Sequence, residues 1–136
     1  MNLVIDTNRI MAGLLKDSLS RKIILYDHFS FYAPDYIGTE LLKHRTYLMK
    51  KAKLSGPDFT LLLNILLSRV TLVPFRDFEP DYHRAMQIME PIDEKDAPFL
   101  AVGLSLGLDA IWTEDKHFLL QDILKMYTTN DLIEYL

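Results

Sequence analysis

The sequence contains no cysteine. Disulfides, thiolate-held zinc and a cysteine nucleophile are excluded together, and a chain of this kind suits a reducing compartment. No apolar run approaches membrane-spanning length. A basic-then-apolar leader is also missing, because Asp6 interrupts the first apolar run. A soluble cytoplasmic protein is therefore expected. There is no excess of positive charge, since 15 Lys and Arg stand against 19 Asp and Glu, for a net −4. A protein that coats nucleic acid nonspecifically has the opposite balance. Carboxylates that serve a cation would contribute such negative charge, and the bound ion would largely offset it. Repeats, linkers and low-complexity tracts are absent as well. The 136 residues, 49% of them apolar, are expected to form one domain over 1–136. A chain of that length buries roughly two-thirds of the surface it exposes when unfolded.

What is present is an alternation of short apolar runs and helical patterns. Leu3-Val4-Ile5, with two β-branched residues, reads as a strand buried on both faces. It stops on Asp6, and Thr7, Asn8 and a helix-like run over 9–15 follow. Residues 20–28 read as a second short helix, with Ser18 or Ser20 as its cap. The aromatic stretch 31–34 closes on Pro34 and reads as a strand ended by a turn. A helix is expected from Tyr36 onward, with Leu41, Leu42, Tyr47 and Leu48 on its apolar side. Ser55-Gly56-Pro57 breaks it, and Pro57 and Asp58 open the next helix. In that helix the leucine-rich stretch 61–67 reads first as core and second as a self-association patch.

The second half repeats the alternation. Val70–Val73 is a third strand, 80–89 a helix stopped by Pro91, and 93–106 a helix terminated by Gly107. A fourth strand over 109–113 runs into Glu114 and Asp115, a short helix over 116–121 follows, and a last strand over 124–127 precedes a closing helix over 130–136. Strands alternating with helices predict an α/β fold. The expected architecture is three-layer α/β/α, with a mostly parallel sheet of about five strands between two helical layers.

In such a sheet, strand C-termini and the N-termini of the following helices share one edge, where ligands bind. Asp6 ends the first strand, Glu40 lies in the first turn after the second, Asp96 in the first turn of the 93–106 helix, and Asp115 just past the fourth strand. The topology brings these carboxylates, far apart in sequence, to that edge. Crowded like charges repel unless they take up protons or a cation. Oxygen donors suit hard ions such as Mg²⁺ and Mn²⁺, which typically act on phosphates. Each acid also has an ordinary reading. Asp93 and Asp96 fit a helix cap and a first-turn acid, Glu40 a surface pair with Lys43 or His44, and Asp115 a turn residue. Asp6 is the least comfortable as mere structure, because a carboxylate ending a buried strand needs partners.

Four segments, Val4-Ile5-Asp6-Thr7-Asn8, Glu40-Leu41-Leu42, Asp96-Ala97-Pro98-Phe99-Leu100-Ala101 and Trp112-Thr113-Glu114-Asp115-Lys116-His117-Phe118, together resemble the PIN domain family. The resemblance covers essentially the whole chain, in the family's order. It implies a metal-dependent nuclease, and many such relatives are toxin ribonucleases of bacterial and archaeal toxin–antitoxin pairs (the VapC-like group). It maps an acid quartet onto Asp6, Glu40, Asp96 and Asp115, with Mg or Mn as cofactor. It also gives Asn8 and Thr113 supporting positions beside the first and last acids, with Asp93 as a further acid nearby. Many relatives carry one more acid just before the phenylalanine, where this chain has His117. That leaves the second metal position open: His117 could replace the acid as a ligand or a phosphate contact, with an exposed turn histidine as the simpler reading. The resemblance further implies an RNA substrate, a homodimer and, for toxin members, a small antitoxin that blocks the acidic cleft.

The leading reading is an RNA phosphodiesterase in which Asp6, Asp96 and Asp115 hold one ion and Glu40 acts through water or on a second ion. The resemblance implies a 5′-phosphate and a 3′-hydroxyl at the cut. Lys43, Arg45, Lys50, Lys51 and Lys53 form a basic segment suited to a strand's backbone, although a solvated helix face explains most of them. The rival reading is a binding or scaffold module of the same fold that cuts nothing. An aspartyl-phosphate phosphatase needs a second acid two residues past Asp6, where this chain has Asn8. A response-regulator receiver needs an aspartate ending the third strand, which ends instead at Val73-Pro74.

Overall fold

The computed structural model describes residues 1–15 and 18–136. These form a five-stranded sheet of β1 (Asn2–Ile5), β2 (Ser30–Pro34), β3 (Val70–Val73), β4 (Ala110–Trp112) and β5 (Met126–Tyr127), in the order β3-β2-β1-β4-β5. Every pairing is parallel. The sheet expected to be mostly parallel is wholly so among the described residues. β1 lies between β2 and β4, which explains its unbroken apolar sequence, as Leu3, Val4 and Ile5 have no exposed surface. The chain winds outward through β2 and β3, then returns past β1 to build β4 and β5. The winding reverses between β1 and β4, and in open parallel sheets ligands bind beyond the strand ends at that reversal.

Helices cover the sheet. They are α1 (Thr7–Leu15), α2 (Leu19–Leu25), α3 (Ile37–Lys43), α4 (Arg45–Ala52), α5 (Gly56–Leu67), α6 (Phe75–Phe78), α7 (Tyr82–Met89), α8 (Ala97–Ser105) and α9 (Thr129–Ile133). α8 lies on β1, β2 and β4 with α6 and α7 against it, while α1, α2, α5 and α9 pack with one another as the second helical layer. The central place of α8 follows from its composition, since Ala97 and every residue from Phe99 to Gly103 is buried. A helix apolar all round is stable only when covered on all sides. Gly103 permits the close approach. A Cβ there would lie 3.2 Å from Val4 Cγ2 and 2.5 Å from Leu124 Cδ2. Side-chain caps fix several starts. Ser18 accepts from the Arg21 amide at 3.3 Å and Ser55 from the Asp58 amide at 3.2 Å. Thr128 and Asp131 form a reciprocal capping box on α9.

The fold departs from the sequence expectations in several places. The single helix expected from Tyr36 is two, because His44 sits at φ −96°, ψ 7° between α3 and α4, in the sparsely allowed bridge region. Each short helix then has its own buried stripe. Leu41 and Leu48 are core, but Leu42 and Tyr47, placed with them on the apolar side, are 59% and 61% exposed. The leucine-rich α5 is likewise divided, with Leu63 and Leu66 buried and Leu61 and Ile65 facing outward. α6 was not anticipated from sequence. Its Phe75 and Phe78 rings pack edge-on with each other and with Tyr82.

The 93–106 helix begins as a 3₁₀ turn (Glu94–Asp96) before α8. The segment after Asp115 is also 3₁₀ (Lys116–Leu120). Leu124 precedes the last strand rather than opening it. There the Gln121 side chain ties the loop, donating to the carbonyls of Phe118 and Leu124 and accepting from the amides of Ile123 and Leu124. Among the described residues, no helix is long and apolar enough to cross a membrane.

Candidate metal centre

The pairing of β1 with β4 sets Leu3 beside Ala110, Val4 beside Ile111 and Ile5 beside Trp112. Carried one step further, the same register sets Asp6 beside Thr113. The Asp6 amide donates to the Trp112 carbonyl at 3.1 Å, and the Thr113 hydroxyl donates to Asp6 Oδ2 at 2.6 Å. Thr113 is fully buried, and its Oγ1 also accepts from the Asp115 amide at 3.0 Å. One hydroxyl thus orients the carboxylate that ends β1 and fixes the backbone that presents Asp115. Asn8 supports Asp6 through its backbone, whose N–H donates to Asp6 Oδ1 at 3.4 Å.

Asp93 and Asp115 are caps as well as members of a close cluster of acids. Asp93 Oδ1 accepts from the Lys95 amide at 3.1 Å, and Asp115 Oδ1 accepts from the His117 amide at 2.9 Å. Each bond closes a tight turn, and each leaves the carboxylate at the sheet edge. One ligand atom apiece from Asp93, Asp96, Asp115 and His117 all lie within 4.8 Å of one another. His117 Nδ1 is 3.3 Å from Asp115 Oδ1 and 3.8 Å from Asp93 Oδ2.

Asp96 differs from its neighbours. It stands at the start of α8 without capping it, and its Oδ2 is buried with no hydrogen-bond partner among the described residues. Burial first, then the charges of Asp93, Asp115 and Asp6, push its pKa up to about 7, against a smaller lowering by His117. The Asp6 pKa is also raised, mainly by burial, against the lowering effect of the Thr113 hydrogen bond. A carboxylate oxygen held among other acids without a donor needs a proton or a cation. A donor set of carboxylate oxygens with one imidazole fits a divalent ion such as Mg²⁺ or Mn²⁺. By this test the residues present suit the metal.

The structure therefore brings Asp96 and Asp115 together, while Asp6, expected to hold the ion with them, is outside this cluster and acts on both through its charge. The structure also adds Asp93 and His117, the first expected only nearby and the second read as an exposed turn residue. Glu40 is not in that cluster. It is ion-paired with Lys43 at 3.3 Å and lines, together with Asp96, a cavity of about 880 Å³. Tyr36, just past β2, was missed. Its phenol pKa is pushed up to about 12, by burial first and then by Glu40, Asp96 and Asp6. Its position past a strand end was the available signal. Of the basic segment, Lys43 is committed to Glu40 and Arg45 to structure. Arg45 donates to Thr60 Oγ1 at 2.7 Å and to the Gly56 carbonyl at 3.1 Å.

Thr113→Val, nearly isosteric, leaves Asp6 Oδ2 and the Asp115 amide without their partner. It is expected to cost about 1–3 kcal/mol of stability. The same change should weaken Mn²⁺ binding about 10- to 100-fold, whereas Thr113→Ser stays near wild type. Thermal melts in chelator and calorimetric Mn²⁺ titration check both effects.

A family model of the PIN domain matches residues 4–136. No curated protein matches the sequence. The match takes in β2 to β5, β1 from Val4 on and the whole acidic edge, and with it the fold and the convergent carboxylates have one account: the chain belongs to the PIN domain family.

Proposed function

We propose that the protein is a metal-dependent endoribonuclease. Asp93, Asp96, Asp115 and His117 would hold Mg²⁺ or Mn²⁺, Asp6 is near enough for its charge to act on Asp96, and Glu40, on the same cavity as Asp96, would act through water or on a second ion. The observation that carries this reading is the buried Asp96 oxygen, unpartnered and surrounded by other acids. When bound, the ion supplies positive charge that polarises a phosphodiester and acidifies water.

The chain's own residues prepare the rest. The Thr113 hydroxyl holds Asp6 in one orientation, so that it is available as a hydrogen-bond acceptor for an attacking water. The capping bonds of Asp93 and Asp115 hold their carboxylates before any ligand arrives. That removes part of the ordering cost of assembling the site. The family supports a toxin role with a small antitoxin partner, and it supports a homodimer. The outward Leu42, Tyr47, Leu61 and Ile65 are apolar positions suited to such association. Light scattering of the purified protein reads the dimer.

Labelled single-stranded RNA incubated with the protein should be cut in Mn²⁺ or Mg²⁺ and left intact in excess chelator, with activity restored when metal is added back. The ends should be 5′-phosphate and 3′-hydroxyl. Binding of RNA with no cutting in either metal would instead favour a module that only binds.

A further inference from the structure

The cavity beside the carboxylates has a second character. Asn8, Glu40 and Asp96, with Thr7, His44, Glu94 and Lys95, make up its polar lining, while Met11, Tyr36, Tyr82, Met86, Pro98 and Phe99 supply apolar surface within the same 880 Å³. A site needing only a phosphate and an ion has no use for such a wall. A volume of this size lies in the range that accommodates a small organic group.

The aromatic residues of the cavity differ in what they leave free. Tyr82 is engaged edge-on by both Phe75 and Phe78. Phe99 is 6% exposed and meets the Tyr36 ring at 6.3 Å and 77°. Tyr36 is 38% exposed and is the outermost of the group. It is anchored at the start of α3, one turn from Glu40 and directly after the residue that follows β2. A buttressed, part-exposed ring next to the carboxylates is what stacking on a flat π-face requires.

We infer that this cavity is a nucleobase subsite, in which Tyr36 stacks a base of single-stranded RNA whose phosphate lies at the neighbouring carboxylates. The inference rests on the ribonuclease reading and narrows it. A base that is splayed out reaches the cavity, whereas one held in a duplex stack does not. The protein should therefore prefer unpaired RNA and contact at least one base beside the bond it cuts. Tyr36 contributes a face rather than a charge, so it is a substrate-binding residue that tolerates any flat base.

Fluorescence anisotropy tests this, using the full chain in Ca²⁺, with a labelled octa-adenylate, its abasic counterpart of equal length, and the same octa-adenylate paired to its complement. Stacking of one base corresponds to roughly tenfold or more in affinity. Wild type should bind the octa-adenylate about tenfold more tightly than the abasic or paired forms. Tyr36→Ala should lose that preference while binding the abasic strand unchanged, and Tyr36→Phe should keep it. Melts of each variant guard against misfolding. In Mn²⁺, Tyr36→Ala should raise KM with little change in kcat. Equal binding of all three probes by wild type, or an unchanged preference in Tyr36→Ala, overturns the subsite while leaving the ribonuclease reading intact if cutting persists. Failure of any RNA to bind or to be cut overturns both.

Discussion

Asp96→Asn is expected to lower metal-dependent RNA cleavage by at least about 100-fold, at or beyond the upper end of what loss of a supporting contact costs a metal site. The same substitution should make the metal-free protein more stable near pH 8. The two effects have one origin. Asp96 is half-buried with an unpartnered oxygen, and its pKa is pushed up to about 7 by burial and by Asp93, Asp115 and Asp6. In the unfolded chain an aspartate titrates near pH 4. The folded state therefore holds the proton to higher pH, and stability declines as pH rises from about 4 to about 7 before levelling off.

Asparagine abolishes that decline, so the variant's advantage should be absent near pH 4 and full above pH 7. Because Asp96 is partly solvated, the advantage is about 1–2 kcal/mol rather than the full value of the shift. Adding Mn²⁺ should stabilise wild type and not the variant. Metal affinity of wild type should fall as pH drops through 7, since ion and proton compete for one carboxylate. Melts across pH 4–8 with and without Mn²⁺, beside a cleavage assay, read all of this. A variant that still cuts RNA at the wild-type rate would remove Asp96 from the site.

Trp112→Ala is expected to do the opposite, damaging the fold first. Trp112 has no exposed surface, packs against Phe31 at 5.5 Å between ring centroids, and donates its indole N–H to Thr129 Oγ1 at 3.2 Å. Truncation of a buried Trp costs about 3–5 kcal/mol, out of the 5–15 kcal/mol typical of a whole domain. Tm should fall by more than about 10 °C. Trp112 ends β4, and Thr113 and Asp115 come directly after it, so activity should decline in parallel with the folded fraction. Activity that survives where the fold has melted would show that the edge beyond β4 does not depend on this packing. The pair of variants separates the two roles: Asp96→Asn leaves the scaffold and removes the chemistry, while Trp112→Ala removes the scaffold.

Much of this protein was written locally. Leu3-Val4-Ile5 followed by Asp6 is a buried central strand stopping on a carboxylate, because only a strand covered on both faces has no polar alternation. The alternation of strand and helix patterns, together with Pro57, Pro91 and Gly107 as breaks, determined a parallel sheet between helices. That in turn determined which residues could reach the ligand-binding edge. The meeting of Asp96 and Asp115 at one edge was legible for this reason, as was Ser18 as a cap.

The rest depended on contacts that local sequence does not encode. Asp93 and Asp115 looked like ordinary caps, and they are caps. Only the packing of two separate turns at one edge made their carboxylates neighbours and drew in His117. Glu40 had equally good sequence grounds; α3 pairs it with Lys43 and places it on the same cavity as Asp96 but outside the close cluster. The division of the helix at His44, which sends Leu42 and Tyr47 outward, likewise followed from how α3 and α4 pack. Side-chain periodicity specifies which elements form and which faces they bury. Where their ends meet is decided by strand register and helix packing between residues far apart in the chain, and it is there that Asp6 finds Thr113.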